Sequence, residues 1–192
     1  MIVRRSAVGW DNDVMPDSPV DSPRVTLRTA VASDVPVLVR WDEDPDVASS
    51  GGDDDDFDWA AEVPRDVDWR EILIAEADGE AVGVLVLIDA AREETHYWGD
   101  VTDAGAWAID IWIGEERHRS HGLGRQMMES ALARCFGEHG ASVVLIDPLE
   151  SNTRAIRFYE RMGFGHVGPR TFGRDRCRVM RITPGAVQSG RG

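Results

Sequence analysis

The sequence predicts one α/β (α+β) domain, a mixed, mostly antiparallel sheet flanked by helices. Three observations point there. Short apolar runs recur along the chain, two of them meet at an Asp-Gly pair, and two amphipathic stretches with helix start and stop signals lie between later runs. At 192 residues and 21.2 kDa, with 42% hydrophobic residues and seven Trp, the chain suffices for one sizeable core.

Residues 1–22 are polar and punctuated by Pro16 and Pro19, which reads as a loosely held arm before a domain over 23–184. "RVTLRTA" alternates as a strand, and "ASDVPVLVRW" opens a helix capped by Ser33 or Asp34. Two apolar runs in "EILIAEADGEAVGVLVLIDA" flank Asp78-Gly79, a hairpin signal. "AWAIDIWIG" is a buried strand. "LGRQMMESALARCFGEHG" then puts Leu123, Met127, Met128, Ala131, Leu132 and Cys135 on one helical stripe that closes at Gly140. "SVVLID" is a strand, and "SNTRAIRFYERMG" a helix capped by Ser151 or Asn152. "FGHVG" and "CRVMRI" close the sheet, and residues 185–192 read as a frayed tail.

The formal charge is −14, and all 21 basic residues are Arg. Such acidity disfavours nucleic-acid binding, which depends on phosphate attraction, and suits a cationic small molecule as partner. The surplus is concentrated between Asp42 and Asp68, where twelve acidic residues face Arg65 alone. Its Asp53–Asp56 run is either a solvated loop or a device that attracts a polycation. Cys135 and Cys177 lack metal-ligand spacing, so no metal is expected and both read as reduced thiols. The N-terminus lacks the apolar core of a secretory signal, and nothing approaches a membrane span, so a cytoplasmic protein with no membrane contact is expected, as a monomer or homodimer.

Arg119-Ser120-His121-Gly122-Leu123-Gly124 follows a strand and opens a helix. Glycines there permit a tight bend, and the amides of the first helical turn, at the positive end of the helix dipole, suit a pyrophosphate. The same pair also serves many helices merely as a cap. The second segment separates these readings. Arg119, Gly122 and Gly124, followed by Asn152, Ala155, Tyr159, Gly163 and Phe164 in that order, resemble the GNAT acetyltransferases. More narrowly, "TDAGAWAIDIWIG", "RSHGLG" and "LIDPLESNTRAIRFYERMGF" resemble the aminoglycoside 6'-N-acetyltransferase branch. The likeness is dense from Thr102 to Phe164. That branch often has paired tryptophans in an early acceptor loop, where this chain reads "ASSGGDDDDFDW" with Trp59 as the candidate replacement.

The resemblance implies acetyl-CoA as co-substrate. It would lie along Ile111, Trp112 and Ile113, over the turn formed by Arg117, His118, Arg119, Ser120, His121, Gly122, Leu123, Gly124 and Arg125, and beside Asn152, Ala155 and Phe158. It also implies an amine acceptor held by Asp147, Asp103, Trp59 and Trp98. An aliphatic amine of pKa about 10 must lose a proton before attacking a thioester. Asp110 on its apolar strand is the catalytic candidate, the alternative being a strand carboxylate held by Arg. Tyr159 would protonate the departing thiolate; its other role would be core packing. His118 and His121 are expected at the phosphates and His96 on the surface. Besides the aminoglycoside enzyme, the residues fit an acyltransferase for a siderophore precursor or other small polyamine, or a non-catalytic CoA- or aminoglycoside-binding sensor.

Overall fold

The computed structural model describes residues 23–45, 47, 57–99, 103–119 and 121–189. The proposed arm, the Asp53–Asp56 run, Thr102 and Ser120 lie outside them. Seven strands form one sheet in the order β1-β2-β3-β4-β5-β7-β6. They are β1 (Val25–Thr29), β2 (Arg70–Ala77), β3 (Glu80–Asp89), β4 (Ala106–Ile113), β5 (Val143–Ile146), β6 (Gly165–Phe172) and β7 (Asp175–Ile182). Every neighbouring pair is antiparallel except β4 and β5.

The hairpin forms where the Asp-Gly pair places it. Asp78 and Gly79 have φ of 52° and 80°, the double left-handed turn whose twist matches that of the flanking strands. Helix α1 (Val35–Asp42) follows a short 3-10 turn, Ala32–Asp34. Asp34 closes that turn by accepting the Val31 amide at 2.8 Å, and Arg28 holds the same carboxylate at 2.7 Å. A single turn, α2 (Trp59–Glu62), is capped by Asp58, which accepts from Ala61.

Alternation along the strands gives the sheet two apolar faces. On one, Ile109, Ile111 and Ile113 of β4 pack beneath α3 (Leu123–Gly137) and α4 (Thr153–Arg161). All six residues of the expected α3 stripe are buried there. On the other, Ala106, Ala108 and Trp112 pack with Trp41 of α1, Trp59 of α2 and Trp98. Two close approaches require glycine. A Cβ on Gly83 would come within 2.7 Å of Met127, and one on Gly114 within 2.0 Å of the Trp41 ring. Beyond β7 the chain forms a last short helix, α5 (Pro184–Ser189), where the sequence reads as a frayed tail.

Candidate active site

The site is built on a break in the sheet. β4 pairs with β5 only from Ala106 to Ala108, whereas its antiparallel pairing with β3 continues to Ile113. Gly114 donates to Val82, and Ala90 donates to Ala106. By antiparallel alternation, the even residues of β4 therefore bond to β3. Ile109, Ile111 and Ile113 turn their amides and carbonyls towards the β5 side; the last pair, Ala108 with Leu145, still engages the Ile109 amide, and the ladder has ended by Ile111. Of the three residues expected to line the cofactor, Ile111 and Ile113 have this orientation. Trp112 does not: its backbone serves the β3 ladder, and its indole is fully buried 5.6 Å from the Trp59 ring.

Past this break the chain passes through the 3-10 turn Glu116–His118 into α3. Gly122 is the N-cap residue at φ 75°, and a Cβ added there would meet nothing within 4 Å. Glycine is thus favoured by the left-handed backbone rather than by crowding. Leu123 and Gly124 are buried at the helix start, while His121 and Arg125 are exposed.

The arginines of this turn are engaged with protein carboxylates. Arg119 is 7% exposed, donates to the Gly114 carbonyl at 3.2 Å, and pairs with Asp44 at 2.9 Å. Arg117 binds Glu80 and, at 2.8 Å, Glu115; Arg125 binds Glu129 at 2.9 Å. Burial, then the charge of Arg117, holds the His118 imidazole below its ordinary value, so at neutral pH it offers a neutral ring. The anion-binding capacity of this turn thus resides chiefly in the α3 amides. Asn152 accepts from the Ala155 amide at 3.0 Å and caps α4. Ala155, Phe158 and Tyr159 are buried on the same face as α3, with Tyr159 edge-on to Phe164 at 5.6 Å.

On the opposite face, Asp110 alternates with Ala108 and Trp112 and is 5% exposed. The last pair of the β4–β5 ladder is Ala108 with Leu145, and Asp110 and Asp147 each lie two residues beyond it, Asp147 just past the end of β5. Trp98 is buried against Phe172 and Tyr97. Two expected acceptor residues are placed otherwise. Asp103 precedes β4 in a turn closed by the Ala106 amide, which donates to the Asp103 carbonyl at 3.0 Å. There it accepts from Gly105 at 3.0 Å and Ser142 at 2.7 Å, fastening the start of β4 to β5. Trp59 is 2% exposed and donates its indole N–H to Asp42 at 2.6 Å, so it packs the core beneath the acceptor face.

A cavity of about 380 Å³ opens between the end of α1 and the end of β4, lined by Arg40, Trp41, Glu43, Asp44, Gly114 and Glu115. Sequence reasoning singled out none of these six. Nothing in a one-dimensional pattern brings residues 40–44 beside residues 114 and 115. Burial pushes the Cys135 thiol up to about 12, which keeps it protonated and non-nucleophilic. His96 is exposed, as expected.

Residues 30–172 match the family model of the acetyltransferase (GNAT) domain. The chain is 27% identical over 151 residues to the aminoglycoside N(6')-acetyltransferase type 1 of Klebsiella pneumoniae, covering 75% of each protein. It is 32% identical over 76 residues to a kanamycin resistance protein of Rhizobium radiobacter, covering 40% of this chain and 70% of that one. Among solved structures it resembles AAC(6')-Ib in complex with ribostamycin and coenzyme A, at 25% identity and a TM-score of 0.77, covering 88% of this chain and 98% of that one. The fold expected from the paired motifs is borne out, and the chain belongs to the GNAT acetyltransferase family.

Proposed function

We propose that this GNAT acetyltransferase transfers the acetyl group of acetyl-CoA to an amine of an aminoglycoside, the 6'-amine, and thereby confers resistance. The observation that carries the reading is the pair of carboxylates, Asp110 and Asp147, each two residues beyond the last pair of the β4–β5 ladder, Ala108 with Leu145. The likeness to the aminoglycoside enzymes supports the choice of acceptor.

In this reading acetyl-CoA enters from the face covered by α3 and α4. Its pyrophosphate meets the amides of the first α3 turn, and its thioester arm runs along Ile109, Ile111 and Ile113. An amide of that edge polarises the thioester carbonyl as negative charge develops on its oxygen. The acceptor approaches from the tryptophan-rich face, where Asp110 and Asp147 hold its ammonium groups. An ordinary carboxylate near pKa 4 is a weak base for an amine near 10, so the proton leaves the amine through water held by these carboxylates. The neutral nitrogen attacks the carbonyl carbon, the carbon–sulfur bond breaks, and the CoA thiolate takes a proton from the Tyr159 hydroxyl; the nitrogen releases its second proton to water, and Tyr159 is reprotonated from solvent. Transfer is direct: Cys135, on the buried stripe of α3, is a protonated thiol. The catalytic unit spans residues 23–184 and works in the cytoplasm; among the described residues no helix is long and apolar enough to cross a membrane.

Thiol release from acetyl-CoA, measured across aminoglycosides, linear polyamines and hydroxylysine-type amines, tests the acceptor class. Turnover is expected to be greatest with aminoglycosides bearing a 6'-amine; preference for a linear polyamine overturns the choice. Tyr159→Phe keeps the ring that packs on Phe164 and is expected to lower kcat roughly 10²-fold with both KM values unchanged. An unaltered kcat would make Tyr159 a packing residue.

A further inference from the structure

The acceptor face contains a tyrosine that belongs to neither motif. Tyr97 lies in the loop between β3 and β4, half-buried. Its ring stacks flat on Phe172 of β6, with centroids 4.2 Å apart and planes 6° from parallel, and meets Trp98 edge-on at 5.4 Å. Arg170, two residues before Phe172, lies 4.8 Å over the same phenyl ring and donates to the Trp98 carbonyl at 2.7 Å. Gly99, at φ 70°, allows this approach: a Cβ there would stand 2.7 Å from the Arg170 guanidinium. Three successive loop residues are thus fastened to one strand. The fastening brings the Tyr97 hydroxyl to Asp147, where it donates to Oδ2.

We propose that Tyr97 is a positioning residue for the acceptor: its hydroxyl fixes the Asp147 carboxylate in the orientation that receives an acceptor ammonium group. The proposal rests on the acetyltransferase reading of Asp147 given above. Asp147 follows the end of β5 and is half-buried. A phenol held by stacking is a rigid donor, and a hydrogen bond to an ionised carboxylate is roughly twice as strong as a neutral one. A carboxylate ordered before the acceptor arrives has less rotamer freedom to lose on binding. The hydroxyl does not touch the reacting atoms, so its loss should appear in acceptor binding and leave the chemical step and cofactor binding intact.

Tyr97→Phe removes the oxygen and retains the stack on Phe172. The experiment measures thiol release from acetyl-CoA with ribostamycin, varying each substrate in turn, for wild type, Tyr97→Phe, Asp147→Ala and the double variant. Tyr97→Phe is expected to raise the ribostamycin KM about 10-fold, with kcat within about twofold and the acetyl-CoA KM unchanged. In the Asp147→Ala background the same substitution is expected to change the ribostamycin KM by less than about twofold, because the partner of the hydroxyl is already gone. Three results would overturn the proposal: an unchanged ribostamycin KM in Tyr97→Phe, an equal rise with and without Asp147, or a parallel rise in the acetyl-CoA KM. A wild type that releases thiol with none of the tested amines overturns the functional reading and this proposal together. A wild type that turns over normally while Tyr97→Phe matches it overturns this proposal alone.

Discussion

In the proposed reading the two faces of the sheet solve different binding problems with different materials. The cofactor face would use main chain: the Ile111 and Ile113 amides of β4 past the break, and the amides opening α3 after a left-handed Gly122. The acceptor face uses side chains from distant segments: Asp110 from β4, Asp147 after β5, and Trp98 from the loop before β4, pinned by Phe172 of β6. An anion of fixed shape suits preset backbone donors. A flexible polycation needs carboxylates whose spacing can differ between relatives on the same scaffold. The comparison predicts that substitutions on the two faces separate by substrate.

The largest separation is expected at Asp110. Asp110→Asn should reduce kcat/KM for the acceptor by roughly 10²–10⁴-fold while leaving the acetyl-CoA KM within about twofold. Equal damage to both substrates, measured by steady-state thiol release, would erase the division of labour. Gly122→Val is the converse. A β-branched residue at φ 75° distorts the turn, so the acetyl-CoA KM should rise about 10-fold with the acceptor KM unchanged. A folded variant with normal acetyl-CoA affinity would remove the pyrophosphate from this turn.

Arg119 lies between the two regions and sharpens the comparison. Its pairing with Asp44 and the Gly114 carbonyl makes it a strut between the end of α1 and the cofactor turn. Arg119→Gln should therefore lower unfolding free energy by about 1–3 kcal/mol in urea titrations. It should leave the salt dependence of acetyl-CoA binding unchanged, whereas a flattened salt dependence would make Arg119 a phosphate ligand. The smallest effect is expected far from both faces. The hydrogen bonds from Arg28 hold the Asp34 carboxyl below its usual range, outweighing its burial, and the Val31 amide adds to them. A depressed carboxylate stabilises the fold fully above the unfolded-chain value of about 3.9, and the contribution is lost as pH falls through the lower folded value. Arg28→Ala should lower Tm by about 2–4 °C at pH 7 and by less at pH 2–3. An equal loss at both pH values would contradict this linkage.

Sequence was most informative where structure is local. The Asp78-Gly79 turn, the buried stripe of α3, the Asn152 cap and the left-handed Gly122 each follow from residues within a few positions of one another. Dihedral preferences and helical periodicity operate at that range. The paired motifs pointed to the family that the residues match. Asp103 and Trp59 have partners that no local pattern announces. Each is the right residue type for binding a cationic sugar, and each is held elsewhere by a partner far away in sequence, Ser142 and Asp42.

By itself, the sequence determined the alternation of strands and helices, the surplus of acid and the backbone form of the cofactor turn. Only the tertiary structure decided that the β4–β5 ladder ends at Ala108 and Leu145, two residues before Asp110 and Asp147. It also decided that Arg119 joins Asp44, and that Tyr97, stacked on Phe172, reaches Asp147. The reason is physical: these contacts join residues 50 to 75 positions apart. Their geometry depends on strand register and on where the β4–β5 ladder ends, and no local dihedral preference specifies either.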